Sequence, residues 1–383
     1  MWGPNAAGKT TLLEAIVLLG LGRSHRTTTD SELIRWGADY VRVEGVMEQA
    51  GDPPEAAAEE VAAALAGAGA GPEMDGGVLS GEPGPTRRGV ALEFALQAGG
   101  GRKRIQINGV PRRPAAMAEH LRAVLFAPEE MMLVIGPPSL RRASLDGLTA
   151  PRDPSYASNM ATYTRALQQR NSLLRSIREG EADRDQLRLW DEPFLTAGAA
   201  IVAARLRLLD LLAEPLAAAQ KEIAPAEERL TVSYSTSAPL LPGEGPRDAL
   251  ARRIEETAEK EAWNGTTLVG PHRDDLVFGL AGRDLATFAS RGQQRTAILA
   301  FKLAELDLLT ALDGRPPLLL LDDVFSELDP DRRRHLVRRI AELPQALITT
   351  TDPADIDPEL RRRARPWRVT AGEAGAQVVE VER

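Results

Sequence analysis

Cysteine is missing from all 383 residues, which excludes disulfides, thiolate metal sites and a cysteine nucleophile. Histidine is nearly missing as well: the four, His25, His120, His272 and His335, are too scattered along the chain to suggest a zinc site. No apolar run reaches the roughly 18 residues of a bilayer span, and the first residues lack the charged segment and apolar stretch of an export signal. A cytoplasmic protein is the simplest expectation. Positive charge is also in deficit, with 47 Lys and Arg against 55 Asp and Glu and a net charge of -8. Nucleic acid would therefore have to be held by local basic patches rather than by the surface as a whole. What the chain does have is a hydrophobic content of 43%, enough to fill a core in two or three lobes.

The segment 3–10, GPNAAGKT, has the spacing G-x-x-x-x-G-K-T. Gly3 and Gly8 let the backbone wrap closely and aim N–H groups at a polyphosphate, Lys9 would reach the outer phosphates, and Thr10 would ligate Mg2+. Leu12, Leu13, Ile16 and Val17 share one helical face, so the loop opens a helix whose N-terminal dipole favours anions. The supporting strand, typically of about 5–6 residues, is represented only by Met1 and Trp2.

Alternation at Val41 and Val43, at Val90, Leu92, Phe94 and Leu96, and at Ile105 and Ile107 predicts strands with one buried face, and Asn108-Gly109 predicts a hairpin turn. Between the first two strands, the Ala, Gly, Pro and Glu bias of residues 50–86 reads as a surface insertion, disordered or weakly helical. Residues 156–226 carry long helical periodicity, with a turn signal near Asp191 and Pro193, and predict an antiparallel helical arm. LTVSYST then reads as a strand and DALARRIEETAEKEAW as a polar amphipathic helix.

In PPLLLLDDVFSELDPDRRRHL, the run Leu318, Leu319, Leu320 and Leu321 suits a strand buried on both faces of a parallel sheet. Asp322 falls at its carboxyl end, where such sheets place ligands, and could hold the Mg2+ that Thr10 contacts. Asp323 follows, placed to polarise an attacking water. Upstream, Ser290, Gly292 and Gln293 immediately precede a helix and form a second anion-binding end. The two phosphate-cradling helix starts lie about 280 residues apart. One nucleotide in one lobe cannot easily use both, whereas two copies arranged head to tail can.

Taken in order, GPNAAGKTTLLEAI, GRSHRT, VLFAPEEMMLVIGPPSLRRASLD, TRALQQRNSLL, LVGPHRDDLVF, SRGQQRTAILAFKLAE and LLLLDDVFSELD resemble the ABC-type ATPases and, within them, the bacterial RecF family of DNA replication and repair proteins. The resemblance implies an α/β fold: an ABC-type P-loop ATPase head with an antiparallel β subdomain and an inserted helical arm. Residues 1–150 would form the first half of the head, interrupted by the insertion 51–86; residues 151–228 would form the arm, and 229–383 the second half. ATP would be bound by Gly3, Pro4, Asn5, Ala6, Ala7, Gly8, Lys9, Thr10 and Thr11, and Mg2+ by Thr10 and Asp322. Asp323 takes the catalytic carboxylate position, Ser290, Gly292 and Gln293 the signature that acts in trans, and residues 326–329 the D-loop. Asp323 stands in place of the usual Glu, Arg291 interrupts the usual double glycine, and Thr349, Thr350 and Thr351 stand where a switch histidine is expected, so hydrolysis should be slow.

Such a protein would dimerise on ATP, bind gapped or double-stranded DNA, help to load recombinase, and work with RecR- and RecO-type mediators. Arg102, Lys103 and Arg104, Arg141 with Arg142, and the cluster Arg361, Arg362, Arg363 and Arg365 are the candidate DNA contacts. His272 and Arg273 in GPHRDD are further functional candidates whose role does not follow from spacing. The resemblance also implies a strand before Gly3, so the chain is expected to be truncated or its start misassigned, with the adenine-contacting residues largely missing. The alternative is a transporter-type ABC ATPase subunit, which the long inserted arm and the SELD segment disfavour. A chromosome-organising arm protein would need a longer coiled coil than about 70 residues, and sustained heptads are absent.

Overall fold

The computed structural model describes residues 1–27, 29–48, 89–99, 103–225, 229–372 and 375–381. The insertion read at 50–86 and Arg102 lie outside them. The chain forms two compact units: Met1–Leu125 with Pro317–Glu327 and Ile340–Arg383, and Phe126–Pro316 with Leu328–Arg339.

In the first unit, the strand Leu318–Asp322 lies between Ala123–Phe126 and Ala346–Thr349. Leu319, Leu320 and Leu321 are fully buried, as a strand covered on both faces requires. The parallel register pairs Thr349 with Asp322, which sets a hydroxyl beside the carboxylate. The sheet continues through the first residues of the chain. Trp2 makes parallel bridges to Thr350 on one side and to Arg368, in the strand Trp367–Gly372, on the other. The Met1 amine donates to Ile348 O at 2.7 Å, and the Arg368 guanidinium stacks 5.1 Å from the centre of the Trp2 ring.

The helix Lys9–Leu21 leaves this sheet and is stopped by Gly22, whose left-handed backbone (φ 63°) returns its N–H to Leu18 O. Leu13, Val17, Leu18 and Leu19 are its buried apolar residues, while Leu12 and Ile16 are only half covered. Its far end packs under an antiparallel sheet, in the order Tyr40–Glu48, Gly89–Gln97, Arg104–Ile107 and Val110–Pro111. Leu92, Phe94, Leu96, Ile105 and Ile107 point inward to meet Leu18, Leu19 and Met117. Asn108 (φ 50°) and Gly109 (φ 74°) form the expected two-residue turn, with both residues at positive φ. The Asn108 side chain also accepts from Ala91 N at 2.8 Å.

The second unit is built on the helices Pro154–Arg178, Arg188–Ile223, Pro246–Asn264 and Arg291–Asp313, with a three-stranded antiparallel sheet of Leu230–Ser235, Asp275–Leu280 and Arg283–Asp284. Asp153 caps the first arm helix, its Oδ1 accepting from Ser155 N and Tyr156 N. Tyr156, Tyr163 and Ala166 on that helix interlock with Phe194, Ala197, Ile201 and Ala204 on the next, at the three- and four-residue spacing the sequence shows.

The turn between the arm helices does not fall at Asp191 and Pro193. It lies at 179–187, where Gly180 has φ 78° and Asp183 caps a short 3-10 turn. Pro193 and Pro215 sit inside the helix Arg188–Ile223. At Pro193 the missing donor would have served Leu189, at an exposed first turn where water can serve the carbonyl instead.

Two buried guanidiniums tie this unit together. Arg170, 1% exposed, donates to Asp191 at 2.7 Å, Glu261 at 3.0 Å and Thr267 at 3.1 Å. Arg205 donates to Asp146 Oδ1 at 2.8 Å, Tyr234 at 3.2 Å and Pro271 O at 2.8 Å. Neither was legible as a core residue in the sequence.

Candidate nucleotide site

The loop before the first helix turns through two left-handed residues, Ala6 (φ 62°) and Gly8 (φ 99°). A side chain at Gly3 is impossible, because its Cβ would stand 2.1 Å from Val369 O. Gly3 is thus required by the neighbouring strand as well as by any phosphate. Lys9 is buried and folds back over the loop, donating to Gly3 O at 2.8 Å and Pro4 O at 3.0 Å. Those carbonyls occupy an ammonium that a phosphate oxygen could claim.

Asp322 is buried at the end of its strand and held by two hydroxyls. Thr10 donates to Oδ2 at 2.6 Å, and Thr349 donates to Oδ1. Thr349, expected only as the residue in place of a switch histidine, is therefore a direct partner of the carboxylate. Asp323 has φ 50°, and its N–H donates to both oxygens of Thr349 at 3.2 Å. Its Oδ1 is buried without a hydrogen-bond partner. Burial pushes this carboxyl above the usual Asp range, against the pull of the nearby Lys9 ammonium and with the help of Asp322.

An orphaned carboxylate oxygen beside a retractable ammonium and a Thr–Asp pair is a fit for the charge of a magnesium nucleoside triphosphate. Lys9 would bind phosphate, and Thr10 with Asp322 would supply two cation ligands. No group of three or more His, Asp or Glu suited to a metal occurs among the described residues. A Mg2+ ion would accordingly need phosphate oxygens and water to complete its six ligands.

In the second unit, Ser290 caps the helix Arg291–Asp313 in a reciprocal box: Ser290 Oγ accepts from Gln293 N at 3.2 Å, and Gln293 Oε1 accepts from Ser290 N at 2.9 Å. Ser290, Arg291 and Gly292 are exposed. A Cβ at Gly292 would meet nothing nearer than Ser290 Oγ at 3.8 Å. This chain has room for a side chain there and uses none.

The basic candidates divide. Arg141 is corrected: it is buried, and its guanidinium forks onto Asp275 at 2.7 and 2.8 Å and also donates to Gly136 O, so it is committed to the fold and not to a DNA phosphate. Lys103 pairs with Asp30 at 3.1 Å and lies over Phe94, and Arg104 is exposed beside Gln106. Arg142 donates one bond, to Asp274 O at 2.8 Å, and makes no ion pair among the described residues.

His272 belongs to the same region as Arg142. Tyr163 OH lies 2.6 Å from Nδ1, and Nε2 lies 3.3 Å from Thr267 O, a pairing that a neutral ring with its proton on Nε2 satisfies. Burial, then the cations Arg273 and Arg142, push its pKa down to about 4. The unfolded chain, with an ordinary value near ~6.5, takes up a proton that the folded one refuses. Stability from this residue is complete above about pH 6.5 and is lost as pH falls towards about 4, by at most roughly 3 kcal/mol. The melting temperature of the His272→Asn variant should accordingly fall less steeply than that of the parent between those pH values; equal slopes would remove His272 as a source of the acid sensitivity.

The mixed sheet, the glycine loop opening a helix, the strand-end aspartates and the capped second helix start define an ATPase head of the ABC type. The protein is 38% identical over 389 residues to the DNA replication and repair protein RecF of Chloroflexus aggregans, an alignment covering 97% of this chain and 92% of that one. It is 35% identical to RecF of Bacillus subtilis, covering 97% and 91%. The chain belongs to the RecF family of DNA replication and repair proteins. Two solved structures of the recombination mediator protein RecF in the RecFOR pathway, RecF-ATPrS and RecF-ATP, superpose with TM-scores of 0.78 and 0.79 at 29% and 28% identity, covering 99% of this chain and 91% and 90% of theirs. No protein-family model matches the sequence.

Proposed function

We propose that this protein is an ATP-gated recombination and repair mediator. It binds ATP and Mg2+ at the loop 3–11, dimerises head to tail so that Ser290 and Gly292 of one copy meet the nucleotide of the other, and binds gapped or double-stranded DNA. It helps RecR- and RecO-type partners to load recombinase. In this reading residues 1–150 and 229–383 make the head and 151–228 the arm, and Lys103, Arg104 and Arg142 are the remaining DNA contacts. Hydrolysis, with Asp323 polarising water, is slow. Mg2+ would neutralise phosphate charge; Lys9 holds and orients the outer phosphates, and Thr349 keeps Asp322 oriented.

The observation that carries the in-trans step is Gly292. Glycine costs up to about 0.5–1 kcal/mol relative to Ala in a helix, and no described residue requires it at this position. A close approach from outside is the reason left for it, and the exposed Ser290 hydroxyl beside it can donate to a phosphate. The transporter alternative has no such support, since the near full-length relatives are RecF proteins.

Ser290→Arg should leave ATP affinity of the monomer nearly unchanged and prevent dimerisation on ATP. Lys9→Ala should remove ATP binding. Mixed together, the two variants should build one composite site, from Lys9 of the first and Ser290 of the second. Light scattering with ATP and Mg2+ reads the result, and full dimer formation by Ser290→Arg alone would refute the in-trans role.

A further inference from the structure

A cavity of about 210 Å³ opens in the second unit between the helix Pro138–Thr149, the first arm helix and the GPHRDD turn. It joins two segments that the nucleotide site leaves unused, Arg142 and the His272 turn. Met160, Leu167 and Pro271 give it apolar walls, and Thr164 stands exposed at its rim.

Nearly every charge around it is already matched. Arg205 is engaged at all three nitrogens, by Asp146, Tyr156, Tyr234 and Pro271, and both nitrogens of neutral His272 have partners. Among the charged groups described there, what remains is one donor set and one acceptor, beside the hydroxyls of Ser139 and Thr164. Arg142 spends only Nη1, on Asp274 O, leaving Nε and Nη2 free. Asp146 accepts every one of its hydrogen bonds on Oδ1, leaving Oδ2 without a donor.

A simple anion would be repelled by Asp146 and a simple cation by Arg142. A neutral, flat group with a donor edge and an acceptor edge between apolar faces satisfies both. The space has room for a heterocyclic ring. We infer that this cavity is a nucleobase pocket, entered base first, with Arg142 donating to a ring or carbonyl acceptor and Asp146 accepting from an amino or imino group. The inference deepens the reading of the chain as a DNA-binding protein, because an unpaired or gapped strand presents unstacked bases to such sites. A free nucleoside offers the same chemistry.

Deoxynucleosides are titrated into the full chain by calorimetry, with the parent, Arg142→Met, Thr164→Trp and Lys9→Ala compared. Binding should weaken about tenfold or more in Arg142→Met and in Thr164→Trp, whose indole blocks the rim from an exposed position, and should persist in Lys9→Ala. In parallel, a gapped duplex carrying 5-iodouracil in the gap is bound and irradiated. A crosslink within residues 139–167 assigns the base to DNA; bound DNA without that crosslink, beside intact nucleoside binding, assigns the pocket to free nucleosides. Failure to bind DNA at all would count against the proposed function, and the nucleoside arm would still decide the pocket. Absence of nucleoside binding, or binding indifferent to Thr164→Trp, overturns the inference.

Discussion

Asp323→Asn should lower ATP turnover by about 10²–10⁴-fold while ATP affinity stays within about threefold, as read by phosphate release and by nucleotide titration. The carboxylate has one buried oxygen with no donor, so the fold itself makes no use of that lone pair. An amide of the same shape cannot take a proton from water but can keep the backbone. Asp323 sits at φ 50°, a region that Asn and Asp visit far more readily than longer side chains. The same backbone offers a reason for aspartate where the ABC class usually has glutamate: the left-handed turn after Leu318–Asp322 favours the shorter residue. Turnover unchanged in the variant would place the base elsewhere.

Arg170→Met should destabilise the second unit by about 3–5 kcal/mol, because it strands the buried Glu261 carboxylate. Glu261 is 1% exposed, and Arg170 is its charged partner at 3.0 Å. With a urea dependence of about 2–3 kcal/mol/M, the midpoint should drop by roughly 1–2 M. Adding Glu261→Gln to Arg170→Met should recover part of the loss, since the two residues share one network. A midpoint within about 0.3 M of the parent would mean that the pair adds nothing to stability.

The parts that were legible in the sequence are those in which neighbours along the chain are neighbours in space. GPNAAGKT is a loop because its glycines must bend, and four leucines in a row are a covered strand wherever they pair. The Asn108-Gly109 turn is local in the same way. Arg141 was not legible, because an arginine beside another arginine looks alike whether it faces water or a buried carboxylate, and its partner Asp275 lies 134 residues away. Arg170 and Glu261, 91 residues apart, escaped for the same reason. The break in the arm lies at Gly180 and Asp183, while Pro193, the stronger breaker on local grounds, sits inside a helix. Within the nucleotide site, the loop and both aspartates could be named in advance, but Thr349 as a hydroxyl donor to Asp322 depends on a sheet register that only the fold supplies.

Thr10 and Asp322 meet across 312 residues, and Met1 is pinned to Ile348 across 347. Ribosomes add roughly 5–20 residues per second, so the glycine loop emerges about 15–60 s before the strand that completes it. A nascent chain therefore carries a phosphate-binding sequence with no cation ligand opposite it and no flanking strands to fix Trp2. ATP binding is expected to appear only when synthesis is nearly finished, and ATP can then stabilise the finished protein without holding together an unfinished one.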